Sequence, residues 1–151
     1  MDTAAFWRLI SSIDKQALGK GDEEHALAPL TRNLRRLPAA ELFSFQDHLA
    51  QALYDLDGAR YAQNAGESGG SADGFLYCRC YVVAMGQAHY AKVRASPTLM
   101  PQSIDDWCES LLYVAMDAWA AHTGDEPSAW PHLTSVSYET GSNSGLWSAG
   151  A

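Results

Sequence analysis

Long apolar runs are missing from this chain. No stretch of its 151 residues approaches the roughly 20 consecutive apolar residues that cross a bilayer as a helix. Basic residues are scarce: ten Lys and Arg face eighteen Asp and Glu, a formal charge of −8 with a pI near 4.9. Such a field repels nucleic-acid phosphates and anionic membranes, and draws in a basic partner or a cationic ligand. Cysteine is limited to Cys78, Cys80 and Cys108, an odd number that argues against a disulfide framework. The first thirty residues lack a basic segment leading into an apolar one, so the expected setting is cytoplasmic. Hydrophobic residues at 47% and aromatics at 11% are enough for one domain with one core, and too many for a disordered chain.

The apolar spacing is helical, and the predicted fold class is all-α: a single-domain bundle of about five to six helices. Asp2 or Thr3 caps a first helix that carries Phe6, Leu9, Ile10, Ile13 and Leu18 on one face and stops at Gly19-Lys20-Gly21. Asp22 starts a second, with Leu27, Leu30, Leu34 and Leu37, which Pro29 delays or kinks. Pro38 opens a third, with Leu42, Phe45, Leu49 and Leu53, and a short helix follows over 59–64. Four glycines in residues 66–74 make that segment a loop. From about 71 to 94 runs a helix with almost no polar face, which belongs at the centre of the domain. The last helix spans about 103–122, with Ile104, Trp107, Cys108, Leu111, Ala115, Ala118 and Trp119 inward, and ends at Thr123-Gly124. Residues 125–151 form an irregular tail, packed through its tryptophans or partly mobile, with at most a marginal strand over 133–139.

Two patterns mimic catalytic motifs. Gly66-Glu67-Ser68-Gly69-Gly70 fits G-x-S-x-G, but a nucleophile elbow needs a strand before it, and residues 57–65 read as helix. A glycine loop leading into a helix suits an anion, yet Asp73 already takes the place favourable to negative charge. Cys78 and Cys80 sit about 200° apart around a helix and cannot share a metal there. The five histidines show no paired spacing, so no metal and no cofactor is expected.

More informative is the polar minority on the apolar helix: Arg79, Gln87 and His89, with Asp73 at its start. A buried Arg79 needs an acceptor, and Asp55, Asp57 and Asp73 are the nearby carboxylates. Glu109, Tyr113 and Asp117 share a face of the last helix by their spacing of four. One outcome is a structural ion pair beside a solvated face. The other is a ligand site: Asp73, His89 and Tyr113 move a proton, Arg79 holds an anionic group, and Tyr54, Tyr61, Tyr77, Tyr81 and Glu109 line the wall.

Three stretches, Met1-Asp2-Thr3-Ala4-Ala5-Phe6-Trp7-Arg8-Leu9-Ile10, Asp73-Gly74-Phe75-Leu76-Tyr77-Cys78-Arg79 and Leu111-Leu112-Tyr113-Val114-Ala115-Met116-Asp117-Ala118, together resemble the DUF4240 family across about residues 2–124. Against the family's pattern the glycine loop is longer and lacks a cysteine, Ala72 replaces an acidic residue, and Cys78 replaces an aromatic. The resemblance implies a helical domain over 1–124 and an actinobacterial setting, and supplies no reaction. The expected function is a small-molecule-binding accessory protein, or a cofactor-free acid/base enzyme, in specialised metabolism. The alternative is an acidic protein-binding module, such as an immunity or adaptor protein, that masks a basic partner. The first requires an enclosed cavity reached by Arg79 and a tyrosine; the second requires a contiguous acidic surface.

Overall fold

Short polar side chains decide where the helices begin. In the computed structural model, which describes residues 1–149, Asp2 accepts from Ala5 N at 2.8 Å and opens α1 (Thr3–Ile10). Asp14 accepts from the amides of Gln16 and Ala17 and opens α2 (Lys15–Gly19), and Asp22 does the same for α3 (Glu23–Leu34) through His25 N. Each bond satisfies an amide that has no partner inside the first turn. Pro38 precedes α4 (Ala39–Tyr54), α5 spans Ala59–Gln63, and Ser71 caps α6 (Ala72–Ala84) through Gly74 N. After these come α7 (Gln87–Ala95), α8 (Val114–Thr123) and α9 (Ser144–Ala149). Among the described residues there is no strand, and the fold is all-α.

Six helices, of 8, 12, 16, 13, 9 and 10 residues, carry the packing. The long α4 lies against α1, α6 and α8, while α8 also packs on α3. One core joins Phe6, Ile10, Leu30, Leu42, Phe45, Leu49, Leu53, Phe75, Val82, Leu111 and Ala115. Burying each leucine or phenylalanine side chain contributes about 1.5–3 kcal/mol. Pro29 sits inside α3, whose helix continues past it to Leu34.

The greasy centre is real but shorter than its sequence suggests. In α6, nine residues from Gly74 to Ala84 are buried, so the helix is enclosed almost all round. The single helix expected over 71–94 is two helices, because Gly86 adopts φ +103° and ψ 170°, a conformation nearly restricted to glycine. Beyond that break α7 is a surface helix with only Tyr90 and Val93 buried. The expected last helix is shorter too. Ser103 Oγ accepts from Asp105 N and holds a turn there, Cys108 N donates to Tyr77 O, and the chain enters α8 through a 3₁₀ turn, Glu109–Tyr113. Ile104, expected inward, is 50% exposed. Likewise Ile13 and Leu18 are buried, but Asp14 restarts the chain between α1 and α2.

Residues 66–70 form a 3₁₀ turn, in which a side chain at Gly69 would run into the Ala62 carbonyl. Ser68 is buried there and accepts from Trp107 Nε1 at 2.9 Å, so the G-x-S-x-G pattern marks a packed turn. The tail returns across the bundle: Trp130 packs edge-on against Phe43 and Trp119, and Trp147 against Phe75. Gly86→Ala should lower unfolding free energy by about 1–3 kcal/mol in denaturant titration while the helical circular dichroism spectrum persists. Unchanged stability would remove backbone strain as the cause of the break.

Candidate functional site

Arg79 lies on the enclosed face of α6 and is 0% exposed, as is Asp57 in the turn before α5. Of the three carboxylates near that loop, the chain uses Asp57, whose Oδ1 stands 4.0 Å from Arg79 Nη2. Asp55 pairs instead with Arg94 at 3.3 Å, and Asp73 is exposed in the first turn of α6. At 4.0 Å the two buried charges attract without bonding directly, so each needs further partners. Arg79 Nη1 donates to Leu53 O at 2.9 Å and Tyr138 O at 3.1 Å, and Nη2 donates to Thr140 Oγ1 at 3.0 Å. Its guanidinium also lies 4.6 Å from the centre of the Phe75 ring. Asp57 Oδ1 accepts from Gly141 N and Trp147 Nε1, and Oδ2 accepts from Asn143 N. Burial pulls the Arg79 pKa down and the neighbouring Asp57 opposes the shift.

A second cluster forms on the outside. Tyr113 Oη donates to Glu109 Oε1 at 3.3 Å within the 3₁₀ turn, and the Tyr77 phenol of α6 interacts with the same carboxylate. Asp73 acts electrostatically on Tyr77, and Glu139 of the tail acts on Tyr113. Glu23, at the start of α3, borders the cluster by accepting from Ser110 N at 3.0 Å. Tyr113 is 43% exposed and Tyr77 half-buried, so both phenols reach solvent. The interaction with Glu109 raises the Tyr77 pKa to about 12, with burial adding to it. For Tyr113 burial is the larger cause of the rise, followed by the charge of Glu109. A phenol that holds its proton is a donor at neutral pH.

Of the residues read from the sequence as a site, Tyr77, Glu109 and Tyr113 therefore come together, with Asp73 close by. The others are dispersed. Tyr81 lies one turn along α6 from Tyr77, where burial and Asp106 raise its pKa. Tyr61 is buried and donates to Arg94 O at 2.6 Å. Tyr54, at the end of α4, offers its carbonyl to Asn143 Nδ2. His89 sits on α7, past the Gly86 break; burial and Lys92 lower its pKa, and its Nε2 is buried without a partner. The three cysteines are buried free thiols, with Cys78 and Cys108 raised to about 12 by burial. Among the described residues no three His, Cys, Asp or Glu side chains gather closely enough to hold a metal ion.

Sequence reasoning missed the tail partners of Arg79 and Asp57. They are mostly main-chain groups, so no side-chain pattern announces them. It also missed Gln46, which is buried in α4, donates to Leu112 O at 3.3 Å and leaves its Oε1 without a partner. Gln46 contributes to a groove of about 510 Å³ together with Met116, Trp130, His132 and Tyr138.

In an alkaline titration of tyrosinate absorbance, Tyr77 should ionise near 12, and Glu109→Ala should return it toward 10. The unfolded chain loses that proton first, so the contribution of Tyr77 to stability is complete below pH 10 and declines as pH rises from 10 to 12. A Tyr77 that titrates near 10 in both proteins would mean that Glu109 does not act on the Tyr77 phenol.

No curated protein and no solved structure matches the chain. A family model described as a protein of unknown function, DUF4240, matches residues 1–121, which include Asp57, Asp73, Tyr77, Arg79, Glu109 and Tyr113. The chain belongs to the DUF4240 family.

Proposed function

We propose that this protein is a binding module for a basic protein segment, which it engages through the Tyr77–Glu109–Tyr113 face. The observation that carries this reading is the placement of one half-buried carboxylate beside two phenols that reach solvent. Glu109 supplies the counter-charge to a lysine or arginine, and the phenol rings add apolar area and a π face for the cation. Asp73, Glu139 and Glu23 surround the pair with like charge drawn from three other segments, which suits a spread cationic surface better than a single ion. The surplus of eight negative charges steers such a partner inward.

Acid/base catalysis has less support. Glu109 already accepts from the Tyr113 phenol, Tyr77 keeps its proton to about 12, and His89 stands on a different helix. Arg79 holds the protein's own tail, which leaves the notion of an anion-binding chamber without its cation. A small-molecule reading draws instead on the groove at Gln46, whose unpartnered Oε1 would accept from a ligand N–H between Trp130 and Tyr138.

Titrating an arginine-rich peptide into the isotopically labelled protein tests the proposal. Resonances of Tyr77, Glu109 and Tyr113 should shift together, and raising salt from 50 to 200 mM should weaken binding. Glu109→Ala should weaken it about tenfold, the scale of one interface hot spot. Shifts scattered over every acidic side chain, or confined to Gln46 and Trp130, would contradict it.

A further inference from the structure

Asp57 and Arg79 hold residues 138–147 in the manner of a protein gripping a peptide. The two oxygens of one carboxylate each take a main-chain N–H, Gly141 on Oδ1 at 3.0 Å and Asn143 on Oδ2 at 2.9 Å. The Trp147 indole donates to Oδ1 at 2.8 Å and seats edge-on to Phe75, with ring centres 6.0 Å apart. Arg79 binds the Tyr138 carbonyl and the Thr140 hydroxyl, and that hydroxyl passes its own hydrogen to Ala72 O at 2.7 Å. Asn143 Nδ2 donates to Tyr54 O at 2.9 Å. Recognition of amides two residues apart, a hydroxyl and an indole is a specific set of demands on an occupant.

Three observations separate the receptor from its occupant. The match to the family covers both anchors and ends at residue 121, so the occupant lies outside it. Asp57 and Arg79 are 0% exposed, whereas every described residue from 121 to 149 is exposed or half-buried. A segment held by polar anchors and the partly buried rings of Trp130, Tyr138 and Trp147, with no fully buried side chain, opens at lower free energy than the core beneath it. Finally, Arg79 Nε stays buried without a partner even with the tail in place, so the fit to this occupant is incomplete.

The geometry points to a peptide-binding site built on Asp57, Arg79 and Phe75, filled in cis by residues 138–147 and able to take the same segment from a second copy of the chain. That second copy is the occupant of choice because it presents the complementary set of amides, hydroxyl and indole. Residues 125–129 are all exposed and follow the left-handed Gly124, which makes them the hinge of this proposal. The fifteen residues from Gly124 to Tyr138 span up to about 50 Å when extended, far enough to reach a neighbouring molecule. Reciprocal exchange of tails closes a two-fold dimer, and the tethered segment competes at an effective millimolar concentration, so exchange belongs to high protein concentration. This inference does not rest on the basic-partner reading, though Glu139 acts electrostatically on both Arg79 and Tyr113.

The probe is a labelled synthetic peptide of residues 136–149, added to the full-length protein and followed by fluorescence anisotropy. Trp147→Ala loosens the tethered tail, so this variant should bind the wild-type peptide at least about tenfold more tightly than the wild-type protein does. Methylating the peptide's Gly141 and Asn143 nitrogens should abolish that binding. At high concentration the wild-type protein should form a dimer that excess peptide dissociates. Equal binding by both proteins, equal binding of the methylated peptide, or a dimer untouched by peptide would overturn the proposal. Hydrogen exchange on the wild-type protein needs no variant: the Gly141 and Asn143 amides should exchange at least about a hundredfold faster than those of Val82 and Val83. Equal protection would overturn the proposal as well, because the tail would then open only with the whole fold.

Discussion

A guanidinium and a carboxylate buried 4.0 Å apart constrain the rest of this molecule. Removing either charge from water costs several kcal/mol, and attraction across that gap does not offset the loss without further hydrogen bonds. α6 brings Arg79 inward because its other enclosed positions are apolar, and the turn before α5 brings Asp57 to meet it. Neither the end of α4 nor the start of α6 can satisfy both groups; Leu53 O alone binds the guanidinium from that side. The remainder comes from residues 138–147. Order in a Gly- and Ser-rich segment therefore follows from two charges far away in sequence.

The same helix presents two chemistries on opposite sides. Arg79 faces the interior, and Tyr77, about 200° round the helix, faces outward. There the 3₁₀ turn at Glu109–Tyr113 supplies a carboxylate within reach of the Tyr77 phenol. The interior site draws its partners from the protein's own tail and from Leu53 O, and leaves Arg79 Nε without one. The exterior site has its anion paired with neutral donors only, so its negative charge is not cancelled by a cation and extends into solvent. That difference is the basis for proposing that a basic segment docks on the outer face.

Much of the architecture was legible. The enclosed centre follows from α6 lacking a polar face, the helix starts follow from Asp2 and Asp22, and burial of Arg79 near a carboxylate follows from its apolar neighbours. Gly86 was not read as a break, since a lone glycine is tolerated in many helices and only its φ reveals the strain a side chain would meet. Residues 103–113 carry Trp107 and Leu111 at helical spacing, but the Ser103 hydroxyl captures a backbone amide and forms a turn instead. Tyr113 and Glu109 meet at the spacing expected of a helix; Tyr77 joins them only through tertiary packing. The tail anchors were invisible because hydrogen bonds to main-chain groups leave no periodic signature.

The central claim is that burial of Asp57 and Arg79 as a compensated pair dictates the fold around them. A double-mutant cycle with Asp57→Asn and Arg79→Met, read by denaturant unfolding, tests it most directly. Each single substitution should cost about 3–5 kcal/mol, because it strands the opposite charge. The double substitution should cost clearly less than the sum of the two. Single substitutions within about 0.5 kcal/mol of the wild-type stability, or strictly additive effects, would contradict the account.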